Sequence, residues 1–314
     1  MHLLISNARP PGPNCQAAIA QLTLPSLTEL LGLLTVTPPI LGTPETLTPL
    51  PERLRATHMG LQGQDGLIPW AAMDAQQLGL TKTHGDAGWA WITLCHLNMQ
   101  SNHILMDDPL ELSVTGQECE TLRAAMTRYF EEDGITLHPL NNATWLAFGE
   151  VFKDLATASL DRVAGSAIND WMGLQEQAKH LRRLQNEMQM LLYTHAVNDM
   201  RSALGNPTIN AFWISGTGTP QPAAIANPEP LGCVDTLRQP AMQDDPRAWQ
   251  EAWQALDRTQ LADLVQRVKL TKPVQLTLCG PRRAVTLELQ RKTWWDRLQH
   301  RFSTRSTEQL LNSL

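Results

Sequence analysis

His195-Ala-Val-Asn-Asp-Met-Arg-Ser-Ala-Leu-Gly-Asn-Pro-Thr-Ile-Asn-Ala-Phe-Trp-Ile-Ser-Gly-Thr-Gly218 sets a polar helix start, a buried strand and a glycine pair side by side. Ile209 to Ile214 is a short apolar run of strand length, bounded by turn residues. Ser215-Gly-Thr-Gly218 then reads as a glycine loop, since glycine lets backbone N–H groups approach a ligand. Asn198, Arg201, Asn210 and Ser215 stand out as polar side chains placed to touch something. Arginine grips carboxylate or phosphate with a planar fork, and asparagine supplies an uncharged donor and acceptor. A competing reading makes Asn198 a helix cap, Arg201 a surface side chain in the first turn, and Gly205 the helix end. A phosphate loop or dinucleotide fingerprint is excluded, because Thr219-Pro220-Gln-Pro222 follows the glycines where either motif needs a helix.

Working outward, the stretch is preceded by the clearest helix, Leu174 to Tyr193, with Leu181, Leu184, Met188 and Leu191 on one face. Arg182, Asn186, Gln189 and Tyr193 share another face that leads into His195. That face is either a solvated surface or a wall of the same site. Further helices are expected at 25–35, with Glu29 supporting the cap, at 69–79, and at 113–133, capped by Thr115 or Ser113 and closed by Asp133-Gly134. Another starts at Asp245-Pro246 and carries Trp249, Trp253 and Leu256, and a helical tail runs from Thr293. Strands are expected at 2–6, 86–97 and 104–109, and hairpins at 135–140 with 144–148 and at 274–278 with 284–289. The proline-rich 37–51 segment reads as loop. This mixture gives an α/β fold, a mixed sheet flanked by helices with an inserted α+β subdomain. Residues 1–80 and 219–314 would form the core layer and 81–218 the insertion.

The net charge of −6 provides no basic field for nonspecific nucleic-acid or anionic-membrane binding. No segment reaches membrane-spanning length. The five cysteines include no CxxC pair, which points to reduced thiols and a cytoplasmic location. His58, His84, His96 and His103, with Asp86, Asp107 and Asp108, lack metal-ligand spacing, so no metal or other cofactor is expected. No GxSxG elbow marks a nucleophile. Ser159-Leu-Asp-Arg162 and Asn169-Asp-Trp171 are polar enough for a site, or for capping.

The spacing His195-x-Val-Asn198, Arg201, Gly205, then Asn210-x-x-Trp213-x-x-Gly216-x-Gly218 resembles the substrate-domain signature of archaeal-type cofactor-independent phosphoglycerate mutases. Ser159-Leu-Asp-Arg-Val163, Arg183 to Leu192, Ala248 to Trp253 and Leu276-Thr-Leu-Cys-Gly280 are similar to stretches of bacterial RpfE-type proteins. The resemblance implies an alkaline-phosphatase-like core, in which two divalent metals clamp the entering and leaving oxygens of a phosphoryl transfer. The mutases place an Asp-Gly after their first strand and an Asp-His pair after a late one. This chain has Ser6-Asn7-Ala8 and Cys279-Gly280 there, and no serine in the 37–51 segment that replaces the nucleophile region. The resemblance therefore implies a degenerate core that keeps a small-anion or phosphoester site in a binding or regulatory role. His195, Asn198, Arg201, Asn210, Trp213, Ser215, Gly216 and Gly218 would line it, with Arg182, Asn186, Gln189, Asp161 and Arg162 behind. Two alternatives stand beside it. One is an active mutase or phosphatase with metal ligands elsewhere. The other is a protein-interaction scaffold that presents its Trp-rich helix and C-terminal helix to a partner.

Overall fold

The computed structural model describes residues 1–82, 86–100, 103–172, 178–222, 230–289 and 306–314. The chain divides into two compact units, one of residues 1–45, 49–58 and 226–314, the other of residues 46–48 and 59–225. Both combine a sheet with helices, as the α/β reading requires.

The first unit is built on the strand His2–Ile5, which pairs in parallel with Leu231–Val234 on one side and Gln275–Cys279 on the other. Its Leu3, Leu4 and Ile5 are all buried, as expected of a parallel strand covered on both faces. The hairpin expected near 274–289 is present, with Gln275–Cys279 antiparallel to Arg283–Glu288. The latter also pairs antiparallel with Thr35–Val36 and Ile40–Leu41, which completes a mixed six-stranded sheet. Alternation then assigns the faces. Leu3, Ile5, Leu276, Leu278, Val285 and Leu287 meet the helices Pro25–Leu33, Pro246–Leu256, Ala262–Lys269 and Thr307–Asn312. Leu4, Cys279 and Ala284 meet Leu50 of the helix Leu50–His58. That helix begins within the end of the segment read as loop, because Pro51 lies in its first turn, where no N–H partner is lost.

Helix Pro25–Leu33 has no local side-chain cap. Buried Asp257 takes that role from far along the chain, accepting from Ser26 N at 3.0 Å and Leu27 N at 2.9 Å. Glu29, expected to support the cap, pairs with Lys269 at 2.7 Å instead. Trp249 and Trp253 lie fully within the core and stack edge to face at 6.3 Å. They are spent on packing, as are Leu310 and Leu311 of the C-terminal helix.

The second unit holds an antiparallel sheet in the order Thr136–Pro139, Thr144–Gly149, Gly88–Cys95, Ala211–Gly218. One face, with Ala90, Ile92, Leu94, Trp145, Phe212 and Ile214, packs on helices Gly116–Glu132 and Ala178–Tyr193. The other face, with Trp89 and Leu146, packs on Ala71, Ala72 and Ala75 of helix Trp70–Gln77. This contact places helix Trp70–Gln77 in the second unit. Residues 46–48 join it because Asp65 accepts from Leu47 N and Thr48 N, both at 2.9 Å. Helix Gly116–Glu132 starts at Thr115 with a reciprocal cap to Glu118 and is followed by Gly134 at φ 72°. Residues 174–177, His84, Gly85 and the start of the expected tail at 293 lie outside the described residues.

Candidate functional site

Residues 215–218 are not a loop. The strand Ala211–Gly218 runs through them, pairing Ser215 with Trp91 and Gly218 with Trp89. The extra residues between those pairs form a bulge, and Gly216 sits there at φ 64°. A Cβ at that position would stand 2.8 Å from Cε3 of Trp91, so the glycine is required by both backbone and neighbour. Thr217 is fully buried, and its single hydroxyl proton lies between Leu155 O at 2.6 Å and Gly66 O at 3.1 Å from Oγ1. The bulge therefore fastens irregular segments to the sheet.

The helix Ala196–Ala203 is capped by His195, whose Nδ1 accepts from Val197 N at 3.2 Å. Asn198 lies inside the helix, not at its cap. Its Nδ2 donates to Leu192 O and Ile209 O, both at 2.8 Å, and its Oδ1 accepts from Ile209 N at 2.7 Å. Arg201 is buried, not on the surface. Nε donates to Pro207 O at 2.7 Å, Nη2 to Leu112 O at 2.6 Å, and Nη1 meets Glu118 Oε1 at 3.0 Å. Burial opposes ionisation of Glu118, but Thr115 and then Arg201 outweigh it and hold the carboxyl below the usual range. Asn210 clasps Leu97, accepting its N–H at 2.7 Å and donating to its carbonyl at 2.9 Å. These side chains tie the ends of helices and strands together, and each bond they make is internal to the unit.

Trp213 and Arg182 meet at a cleft. Its lining comprises Leu155 to Ala158, Trp171, Met172, Leu181, Arg182, Gln185, Trp213 and Ile214, around about 420 Å³ of space open to solvent. Trp213 Nε1 donates to Ala158 O at 2.9 Å, and Trp171 Nε1 to Ser166 Oγ at 3.0 Å. Both indoles thus spend their polar edge on the protein and leave carbon surface as wall. Gln185 Nε2 reaches Phe212 O at 3.5 Å. Arg182 is half-buried and is the charged side chain among the described residues of the lining. Arg162 stands 5.9 Å from the Trp171 ring and donates to Thr46 Oγ1 at 2.9 Å. Asn186 and Asp161 are exposed and Gln189 half-buried, and none of the three lines the cleft. Sequence reasoning missed Leu155, Met172 and Gln185. Residues 153–158 carry no periodicity, and Gln185 falls between the apolar and polar stripes of its helix.

In the first unit, the carboxyl ends of the parallel strands are where an open α/β sheet holds a ligand. Here that end is occupied by the protein itself. Ser6 N donates to Val234 O at 3.1 Å and Ala8 N to Cys279 O at 2.8 Å. Trp249 Nε1 donates to Asn7 O at 3.3 Å. Leu314 is buried there, close enough that a Cβ on Gly280 would stand 2.7 Å from its own Cβ. Burial pushes the Cys279 thiol up to about 12. These residues do not fit the paired metal centre that the mutase resemblance implies. Among the described residues, no three His, Cys, Asp or Glu side chains gather as a metal-binding set, and no helix is long and apolar enough to cross a membrane.

No protein-family model and no curated protein matches the chain. Among solved structures it is similar to the PH0037 protein from Pyrococcus horikoshii, at 11% identity and TM-score 0.47, over 91% of this chain and 87% of that one. It is also similar to the cofactor-independent phosphoglycerate mutase from Thermoplasma acidophilum DSM 1728, at 12% identity and TM-score 0.37, over 91% and 89%.

Proposed function

We propose that the protein is a phosphoglycerate-mutase-like binding protein of the RpfE type, which holds a small organic anion in the cytoplasm and performs no two-metal phosphoryl transfer. The observation that carries the reading is the cleft at Trp213, where one guanidinium, Arg182, and one carboxamide, Gln185, stand against apolar walls. A concave, mostly apolar pocket with a few convergent polar groups is the usual form of a small-molecule site. The reading of lost turnover draws support from the filled strand ends, where Trp249 bonds Asn7 and Leu314 packs against Gly280. Arg201 enters this reading as a scaffold residue, because its donors serve Leu112, Pro207 and Glu118.

Thermal unfolding with a panel of small acids and phosphoesters tests this. A member of the panel raises the Tm of the full chain, and Arg182→Ala removes that rise. Arg201→Ala instead lowers the Tm with or without ligand. Mutase turnover by the chain in the presence of manganese would overturn the proposal.

A further inference from the structure

The cleft also constrains what the anion looks like. Its walls are Leu155, Trp171, Met172, Leu181, Trp213 and Ile214, and among the described residues its side-chain polar share is the Arg182 guanidinium, the Gln185 carboxamide and the Thr157 hydroxyl, which pairs with Thr217 Oγ1 at 3.0 Å. A phosphate carries up to two charges and three oxygens that each want a donor, and stripping it of water against indole and thioether surface costs heavily. A carboxylate carries one charge on two oxygens, which a guanidinium fork satisfies with two parallel N–H bonds. Arg182 has an interaction of its own within the chain. A guanidinium has five N–H donors, of which a bidentate carboxylate takes two. Because Trp171 and Trp213 turn their N–H groups to Ser166 and Ala158, what they offer a ligand is flat carbon surface. Such a surface favours an aromatic ring by offset or edge stacking.

We infer that the cleft is a site for a monocarboxylic acid with a flat apolar body, such as an arylacetic acid, held by Arg182 at the carboxylate and by Trp171, Trp213 and Met172 at the ring. This rests on the binding reading given above and narrows its ligand class.

Isothermal titration of the full chain with phenylacetate, phenylacetamide, acetate, benzyl phosphate and 3-phosphoglycerate tests it. Phenylacetate is expected to bind at least about tenfold more tightly than each of the others, the gain a charge-assisted contact plus ring burial provides. Arg182→Gln closes the gap between phenylacetate and its amide, and Arg182→Lys, which keeps charge but not the fork, restores only part of it. Tighter binding of either phosphoester, lost in Arg182→Gln, overturns the ligand class and leaves the binding reading standing. Acetate binding as well as phenylacetate removes the role of the ring. Heat from none of the anions up to about millimolar concentration, the weakest affinity a specific site would show, overturns both proposals.

Discussion

The guanidinium of Arg201 and the carboxylate of Glu118 meet at 3.0 Å, with side-chain exposures of 3% and 17%. Glu118 is at the same time the reciprocal partner of the Thr115 cap, so one carboxylate joins helix Gly116–Glu132 to helix Ala196–Ala203. Removing Arg201 leaves Glu118 Oε1 and the carbonyls of Leu112 and Pro207 without this donor. Breaking a buried pair from one side costs about 3 kcal/mol or more. Arg201→Ala is therefore expected to lower the unfolding free energy by an amount of that order, read as a lower urea midpoint with the slope unchanged. A variant of wild-type stability would show that the pair holds nothing.

The depressed Glu118 carboxyl has a pH signature. Its folded value lies below the unfolded one, so its contribution is complete above the ordinary glutamate value of about 4.3 and declines as pH falls through the folded value. Stability measured by urea unfolding is expected to fall as pH drops below about 5, through the ordinary glutamate range and on through the depressed folded value. Glu118→Gln should lower stability at pH 7 and flatten that decline. An unchanged slope in the variant would assign the acid sensitivity to other carboxylates.

Asp257 supplies the cap that helix Pro25–Leu33 lacks locally. Losing a capping side chain costs about 0.5–2 kcal/mol. Asp257→Ala should cost at least the upper part of that range, because the orphaned N–H groups of Ser26 and Leu27 lie in a buried region. Asp257→Asn, which keeps one acceptor, should cost less. Equal losses in the two variants would remove the capping explanation.

Gly205 and Gly216 both adopt positive φ, at 74° and 64°. A Cβ on Gly205 meets nothing within 4 Å, whereas one on Gly216 runs into the ring of Trp91. Alanine at 205 should cost about 1 kcal/mol for the left-handed backbone alone. Alanine at 216 should cost more, by a further 1–3 kcal/mol or so for overpacking. Equal Tm losses would mean that Trp91 moves aside freely.

Thiol chemistry should separate the cysteines. Cys233 is exposed, and Cys15, Cys95, Cys119 and Cys279 are buried. Burial raises the buried thiols, Cys15 and Cys279 to about 12, with Asp244 adding to the rise at Cys15. A colorimetric thiol reagent at pH 8 should find one reactive group in the folded protein and all five cysteines after denaturation. Rapid reaction of a second thiol in the folded state would contradict this burial.

Local pattern alone set the strand at the start of the chain, the hairpin Gln275–Cys279 with Arg283–Glu288, and the capped helix after Thr115. Each signal there is carried by residues a few positions apart. Hydrophobic alternation, a capping hydroxyl and a closing glycine act at short range, and the neighbours that satisfy them are already in the sequence window. The same legibility failed within 195–218. Nothing local distinguishes an arginine aimed at a ligand from one aimed at Leu112 and Glu118, more than eighty positions away. The glycines at 216 and 218 look like a loop until Trp91 and Pro69 come to lie against them. The cleft needed the meeting of a strand, a helix and an irregular segment that share no pattern. Burial and polar satisfaction are properties of the packed chain, so only the tertiary structure decided that Asn198, Arg201 and Asn210 brace the fold while Trp213 and Ile214 of the same stretch line a cleft.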